Sequence, residues 1–210
     1  MALITKGGTS QIRPNFNESE LQSGSWRNGF TDAVDSFELS DNTLDALQFL
    51  RDHYGVAMGV NSTYRSDLHN ASLTGSASLS FHKLKKAIVR ATDFHFIGAH
   101  IKGSKAHLAD IDYYNQINNK KGVVYDTLVN TYKIKGLGLY DNFNHIDSRV
   151  QSGVNFWDNS TKKKSYIEAI TSTIQNNEDG VLDWKNSIIT TGVIILIIIA
   201  ALIWWFKYKK

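Results

Sequence analysis

A chain of 210 residues has room for one ordinary domain plus accessory segments, and 42% hydrophobic with 20% charged residues excludes a disordered chain. The formal charge of +3 is matched by Lys207, Lys209 and Lys210, so residues 1–206 sum to zero, which argues against a nucleic-acid partner. There are no cysteines, which excludes disulfides, thiolate metal sites and a cysteine nucleophile and leaves His, Asp and Glu as the metal-capable side chains.

The start, MALITKGGTSQIRPNF, lacks a charged region followed by an apolar stretch, so no secretory signal is expected. Residues 1–35 are rich in Gly, Ser and Asn with scattered aromatics (Phe16, Trp26, Phe30), and an irregular lead-in that docks on the domain is predicted. In SDNTLDALQFLRDHYG, Leu44, Leu47 and Leu50 recur every three residues. With Ser40 or Asp41 as N-cap and Gly55 as stop, this predicts a helix of about three turns. VAMGVNSTY (56–64) is a short run with β-branched residues, followed by the turn-rich RSDLHNASLTGSASLSFH. ATDFHFIG (91–98) alternates as a strand does, and residues 108–132 carry helical spacing through Leu108, Ile111, Tyr114 and Ile117, then Val124 and Leu128. GLGLY (136–140) and NHIDSR (144–149) predict two more strands. This mixture of helices and hairpin-like strands predicts one small α+β domain over 36–157.

Residues 158–187 are polar and predict a stalk, in which Lys162 to Lys164 read as a solvated basic stretch. IITTGVIILIIIAALIWWF (188–206) then runs without a charge. Its helical length of roughly 28 Å matches a bilayer's hydrocarbon core. Trp184, Trp204 and Trp205 stand where aromatic rings prefer the headgroup level, so a C-terminal transmembrane helix is predicted, ending in a basic tail at 207–210. Of the lysines around it, three follow the helix and only Lys185 precedes it closely, which places the domain outside the cytoplasm.

The chain has no His-Glu-x-x-His helix, phosphate loop or Gly-x-Ser-x-Gly elbow. Gly136 and Gly138 lack the third glycine of a dinucleotide site and read as a strand with close backbone approach. What remains is a metal-capable set in three places: Ser80-x-His82, Asp93 within RATDF, and His145-x-Asp147 within FNHIDSR.

Taken in order, STYRSDLHNASLTGSASLSFH, RATDF and GLGLYDNFNHIDSR resemble the zinc D-alanyl-D-alanine carboxypeptidase family, whose members include phage L-alanyl-D-glutamate endopeptidases. The resemblance covers roughly 36–157. It implies a small α+β domain with a central antiparallel sheet, shared with the Hedgehog signalling domain. It further implies zinc as cofactor, with His82, Asp93 and His145 as ligands and the fourth position open for water. Arg65 then matches the arginine that binds the substrate carbonyl, with a structural salt bridge as its alternative, while Ser80 and Tyr140 fall among the substrate-binding positions. The family often places a carboxylate three residues before the last histidine, where this chain has Asn142. Alternation along 143–147 favours Asp147 as general base, or as the group that holds a ligand histidine, with Asp141 as the other carboxylate in reach. His82 and Asp93 stand eleven apart where the family has seven, so Asp93 must be delivered by a longer loop, with His95 as reserve ligand. His69 fits the family's turn as a structural residue.

The resemblance thus leads to an expectation of a zinc metallopeptidase acting on peptidoglycan stem peptides, as carboxypeptidase or endopeptidase. The rival is an inactive domain on the same fold that binds wall peptide or a protein. Either form would be anchored in the bacterial envelope or in the membrane of a phage particle.

Overall fold

The computed structural model describes residues 1–73, 80–84 and 88–161. In chain order these form β1 (Ala2–Thr5), β2 (Gln11–Arg13), β3 (Phe16–Asn17), α1 (Gly24–Arg27), β4 (Ser36–Leu39), α2 (Asp41–Tyr54), β5 (Met58–Ser62) and α3 (Asp67–Ser72). There follow β6 (Ile88–Val89), β7 (Ala91–Phe96), α4 (Lys105–Asn118), α5 (Val123–Asp126), a π turn (Thr127–Thr131), β8 (Gly136–Leu139), β9 (Asn144–Asp147) and β10 (Asn155–Asp158). The class is α+β, as predicted. The polar stretch after Thr161 and the apolar run 188–206 lie outside the described residues. Among the described residues no helix is long and apolar enough to cross a membrane.

The three-residue leucine spacing is realised in α2. Ser40 takes the N-cap position, Gly55 ends the helix in the left-handed region at φ 57, and Leu44, Leu47 and Leu50 are fully buried. Each such side chain contributes roughly 1.5–3 kcal/mol of transfer free energy.

The main sheet runs in the order β10-β8-β9-β7-β5, antiparallel except where β10 joins β8 in parallel. Register fixes its two faces, because side chains alternate along a strand. Phe94 on β7, Leu137 and Leu139 on β8 and Ile146 on β9 share one face and are buried with Tyr113 of α4, whose ring meets Phe94 edge-on at 5.5 Å. Asp93, His145 and Asp147 therefore share the other face. Hydrophobic residues at alternate positions thus set which way the polar ones point.

Four expectations are corrected. Residues 1–35 are no irregular lead-in: β1 pairs antiparallel with β4, β4 pairs in parallel with β6, and Ile4, Phe16 and Leu21 are fully buried. Polar composition concealed this, since only a few apolar side chains do the anchoring. The predicted helix over 108–132 breaks after Asn118, where Lys120 (φ 53) and Gly122 (φ 103) enter the left-handed region, and the chain resumes in α5 and the π turn. Leu108 is 58% exposed, and α4 buries Ala106, Ala109, Tyr113 and Ile117 beside the expected Ile111 and Tyr114. Residues 158–161 still belong to the domain, for Tyr114 Oη donates to Asp158 at 2.8 Å and the Asn159 amide donates to Leu139 O at 2.9 Å.

Candidate metal centre

β7 and β9 pair so that Asp93 lies opposite His145, and both side chains rise from the same face. His82 approaches from the turn that precedes β6. The longer spacing between His82 and Asp93 is absorbed by β6, which pairs with β4 of the small sheet before the chain returns in β7. The Arg90 amide donates to Phe81 O at 3.2 Å and closes this excursion. Backbone pairing therefore brings the two residues together across the extra length.

His82, Asp93 and His145 are all buried, at 2%, 3% and 8% exposure. Their facing atoms form a small triangle: His82 Nε2 to Asp93 Oδ1 3.2 Å, His145 Nδ1 to Asp93 Oδ1 2.8 Å, and His82 Nε2 to His145 Nδ1 3.3 Å. Three ligand atoms on a tetrahedral zinc are about 3.3 Å apart when metal–ligand distances are near 2.05 Å. The set has the spacing and the N/N/O donors of a three-ligand zinc site, and it is the only cluster of three such side chains among the described residues. His95 stays outside it and hydrogen-bonds Asn61 instead, so the reserve-ligand expectation is corrected.

Each histidine is held by its other nitrogen. His82 Nδ1 donates to Thr63 O at 2.6 Å, which leaves the Nε2 lone pair for a metal. His145 Nε2 donates to Asp147 Oδ2 at 3.0 Å, which aims Nδ1 at the triangle. Asp147 is fully buried, and its Oδ1 accepts from Arg149 Nε at 2.7 Å. Burial raises the Asp147 pKa, but Arg149 and His145 outweigh it and hold the group at about 2. Asp147 thus lies on the side of the imidazole away from the triangle, where its hydrogen bond can orient His145, the alternative role considered for it.

Burial, aided by Arg65 and His145, pushes His82 below its ordinary value despite Asp93, which favours the neutral ligand form. Burial also works against charge on Asp93, yet His82 and His145 hold its carboxyl well below the usual range. For His145, burial is outweighed by the hydrogen bonds to Asp147 and Asp93, and its pKa rises to about 8. Without a metal, its two N–H groups sit between two carboxylates.

The triangle adjoins a cleft of about 490 Å³ whose lining includes Gly24, Asn28, Arg65, His69, Asp93 and Tyr140. Arg65 Nη2 pairs with Asp93 Oδ2, and its Nε donates to Ser62 Oγ at 3.0 Å, so the salt bridge considered for it is present while its side chain also faces the cleft. Tyr140 stacks on Phe143 and its Oη accepts from Trp157 Nε1 at 2.8 Å. Ser80 is not part of this lining; its Oγ accepts from the His82 amide at 3.3 Å and shapes the turn before the ligand. Asp141 is exposed and Oδ1 accepts from Thr161 N at 2.7 Å, so neither carboxylate considered as general base lines the cleft.

Several contributors carried no sequence signal. Thr63 acts through its backbone carbonyl, and Gly24 and Asn28 come from the segment read as a lead-in. Arg149 was the detectable one, since it stands two residues after Asp147 on the same strand line.

No curated protein and no solved structure matches the chain. A family model described as Peptidase M15 matches residues 14–147, which span all three candidate ligands as well as Arg65. The chain belongs to the peptidase M15 family of zinc-dependent peptidases.

Proposed function

We propose that the protein hydrolyses peptide bonds in bacterial peptidoglycan stems as a zinc metallopeptidase. The observation that carries this reading is the buried His82, Asp93, His145 triangle at zinc-ligand spacing, adjoining a cleft that Arg65 also lines. Zinc held there supplies a Lewis acid for a peptide carbonyl and lowers the pKa of water toward neutrality. The chain's own residues do the rest. Thr63 O and Asp147 fix the two imidazoles, so that no rotamer search accompanies binding. Arg65 balances the outer oxygen of Asp93 and offers fixed positive charge to a carbonyl oxygen in the cleft, where charge develops as the carbonyl is attacked. Because Tyr140 Oη accepts from Trp157, its own proton is free for a substrate acceptor.

The choice of peptidoglycan as substrate is supported by the motif order Tyr-Arg-Ser, His-Asn, Ser-x-His and His-x-Asp, which resembles wall-peptide hydrolases. The run 188–206 supports membrane anchoring with the domain on the wall side, as in the envelope of a bacterium or the membrane of a phage particle. The test is incubation of the full-length chain with purified muropeptides, with and without a chelator, and mass analysis of the products. Chelator-sensitive cleavage is expected, and its position tells carboxypeptidase from endopeptidase. Stoichiometric zinc without any product would leave a binding domain instead.

A further inference from the structure

A second polar wall of the cleft has no part in the reading above. Its centre is His69, 7% exposed and fixed from three directions. Phe30 stacks on the ring at 4.5 Å and 15°, Gly24 lies so close that a Cβ there would stand 3.0 Å from Cε1, and Ser25 Oγ is 2.9 Å from Nδ1. Ser25 is fully buried, and its Oγ already accepts the Ser66 amide at 2.8 Å. A hydroxyl has one proton to give. If His69 Nδ1 carried a hydrogen, Ser25 would accept twice and its own proton would be left without an acceptor in the interior, which is unfavourable for a buried hydroxyl. Ser25 therefore donates to Nδ1, and the ring proton sits on Nε2.

Nε2 has no partner among the described residues, and it is not among the fully buried unpaired atoms, so it opens on the cleft that His69 lines. Burial and the nearby Arg65 lower the His69 pKa, which keeps the ring a neutral donor. Asn28 lines the same cleft, and because its Nδ2 donates to Gly24 O at 2.7 Å, Oδ1 is its remaining side-chain acceptor. The wall connects to the metal triangle: Ser62 Oγ lies 3.4 Å from the Cβ position of Gly24 and accepts from Arg65, which pairs with Asp93. A donor and an acceptor lining one cleft can complement the C=O and N–H groups of a bound peptide.

We propose that His69 is a substrate-binding residue that donates from Nε2 to a backbone carbonyl oxygen of the bound peptide, with Asn28 Oδ1 of the same cleft accepting a peptide N–H. This rests on the peptidase reading for the identity of the ligand, while the tautomer follows from the fold alone. The probe is a synthetic stem peptide ending in D-Ala-D-Ala, added to the full-length chain. In imidazole nitrogen NMR of the wild-type protein, His69 should show a protonated Nε2, and this resonance should shift when peptide is added. In turnover, His69→Ala should raise KM about tenfold, the loss of one hydrogen bond, with kcat and bound zinc near wild type. A protonated Nδ1, a resonance indifferent to peptide, or an unchanged KM each overturns the proposal. Should the wild-type chain cleave nothing, the hydrolytic reading fails. The NMR arm still decides for His69, as it does if His69→Ala does not fold.

Discussion

Asp147 Oδ2 and His145 Nε2 are 3.0 Å apart, on the opposite edge of the imidazole from the atom that faces Asp93. The ring therefore separates the carboxylate from the triangle, and this separates two roles that the sequence left together. A group that orients a ligand acts on metal affinity, whereas a general base acts on turnover at full metal occupancy. Asp147→Asn should lower zinc affinity about tenfold to a hundredfold, measured by competition with a chromogenic chelator. With zinc in excess, kcat should stay within a few fold of wild type. A collapse of kcat in the fully loaded variant would return Asp147 to the role of base.

Zinc and a proton compete for His145 Nδ1. In the metal-free protein the pKa of His145 is raised to about 8, so at pH 7 the ring is charged and must lose a proton before a metal can take that nitrogen. Zinc uptake at pH 7 should release about one proton, read from calorimetry in buffers of different ionisation enthalpy, and the release should fade as pH passes about 8. The linkage to stability has the same origin. A raised pKa contributes stability to the metal-free fold that is full below the ordinary value of 6.5 and is lost as pH rises through about 8. Chelated protein should therefore lose thermal stability over that interval more steeply than zinc-loaded protein.

The three candidate ligands were legible in the sequence because chemistry restricts them to a few residue types and the strands that carry two of them alternate cleanly. Asp93 remained identifiable at an altered spacing because no other carboxylate, histidine or glycine lies between it and His82. What positions the ligands was not legible. Thr63 contributes a carbonyl that any residue possesses, and β6 is two residues long, too short for any periodic signal. Leu108 illustrates the converse, since its helical spacing is correct yet α4 turns it to solvent and buries small alanines against the sheet. Spacing defines a stripe, while packing decides which edge of the stripe is covered.

One buried carboxylate ties the N-terminal segment together internally. Glu18, 6% exposed, accepts the amides of Thr5 at 2.9 Å and Ser10 at 3.0 Å, and a Cβ on Gly8 would overlap it. The Thr5 amide, then that of Ser10, holds its pKa below the ordinary 4.5 against the effect of burial. Because the folded value is depressed, the contribution is present above 4.5 and is lost as pH falls below it. Glu18→Gln should lower the melting temperature by a few degrees at pH 7. The gap to wild type should narrow in acid, when both side chains are neutral. An equal gap at pH 7 and pH 3 would mean that shape, not charge, holds the strap.

Gly136 and Gly138 occupy the site face of β8, opposite Asp147 and His145 of β9. Neither has positive φ, so backbone freedom is not what requires glycine there. Space is. A Cβ on Gly136 would overlap the Asp147 carboxylate, and one on Gly138 would overlap the indole of Trp157, which stands 5.2 Å from the His145 ring. Both obstacles are held in place: Asp147 by His145 and Arg149, Trp157 by its hydrogen bond to Tyr140. Gly136→Ala should therefore destabilise the fold by about 1–3 kcal/mol, the usual cost of overpacking, read from denaturant unfolding. It should also weaken zinc binding by turning Asp147 away from His145. Gly138→Ala displaces an indole that holds no ligand by a hydrogen bond, so it should cost similar stability with a smaller effect on zinc. Equal losses of zinc affinity in the two variants would show that the glycines serve general packing and not the orientation of His145.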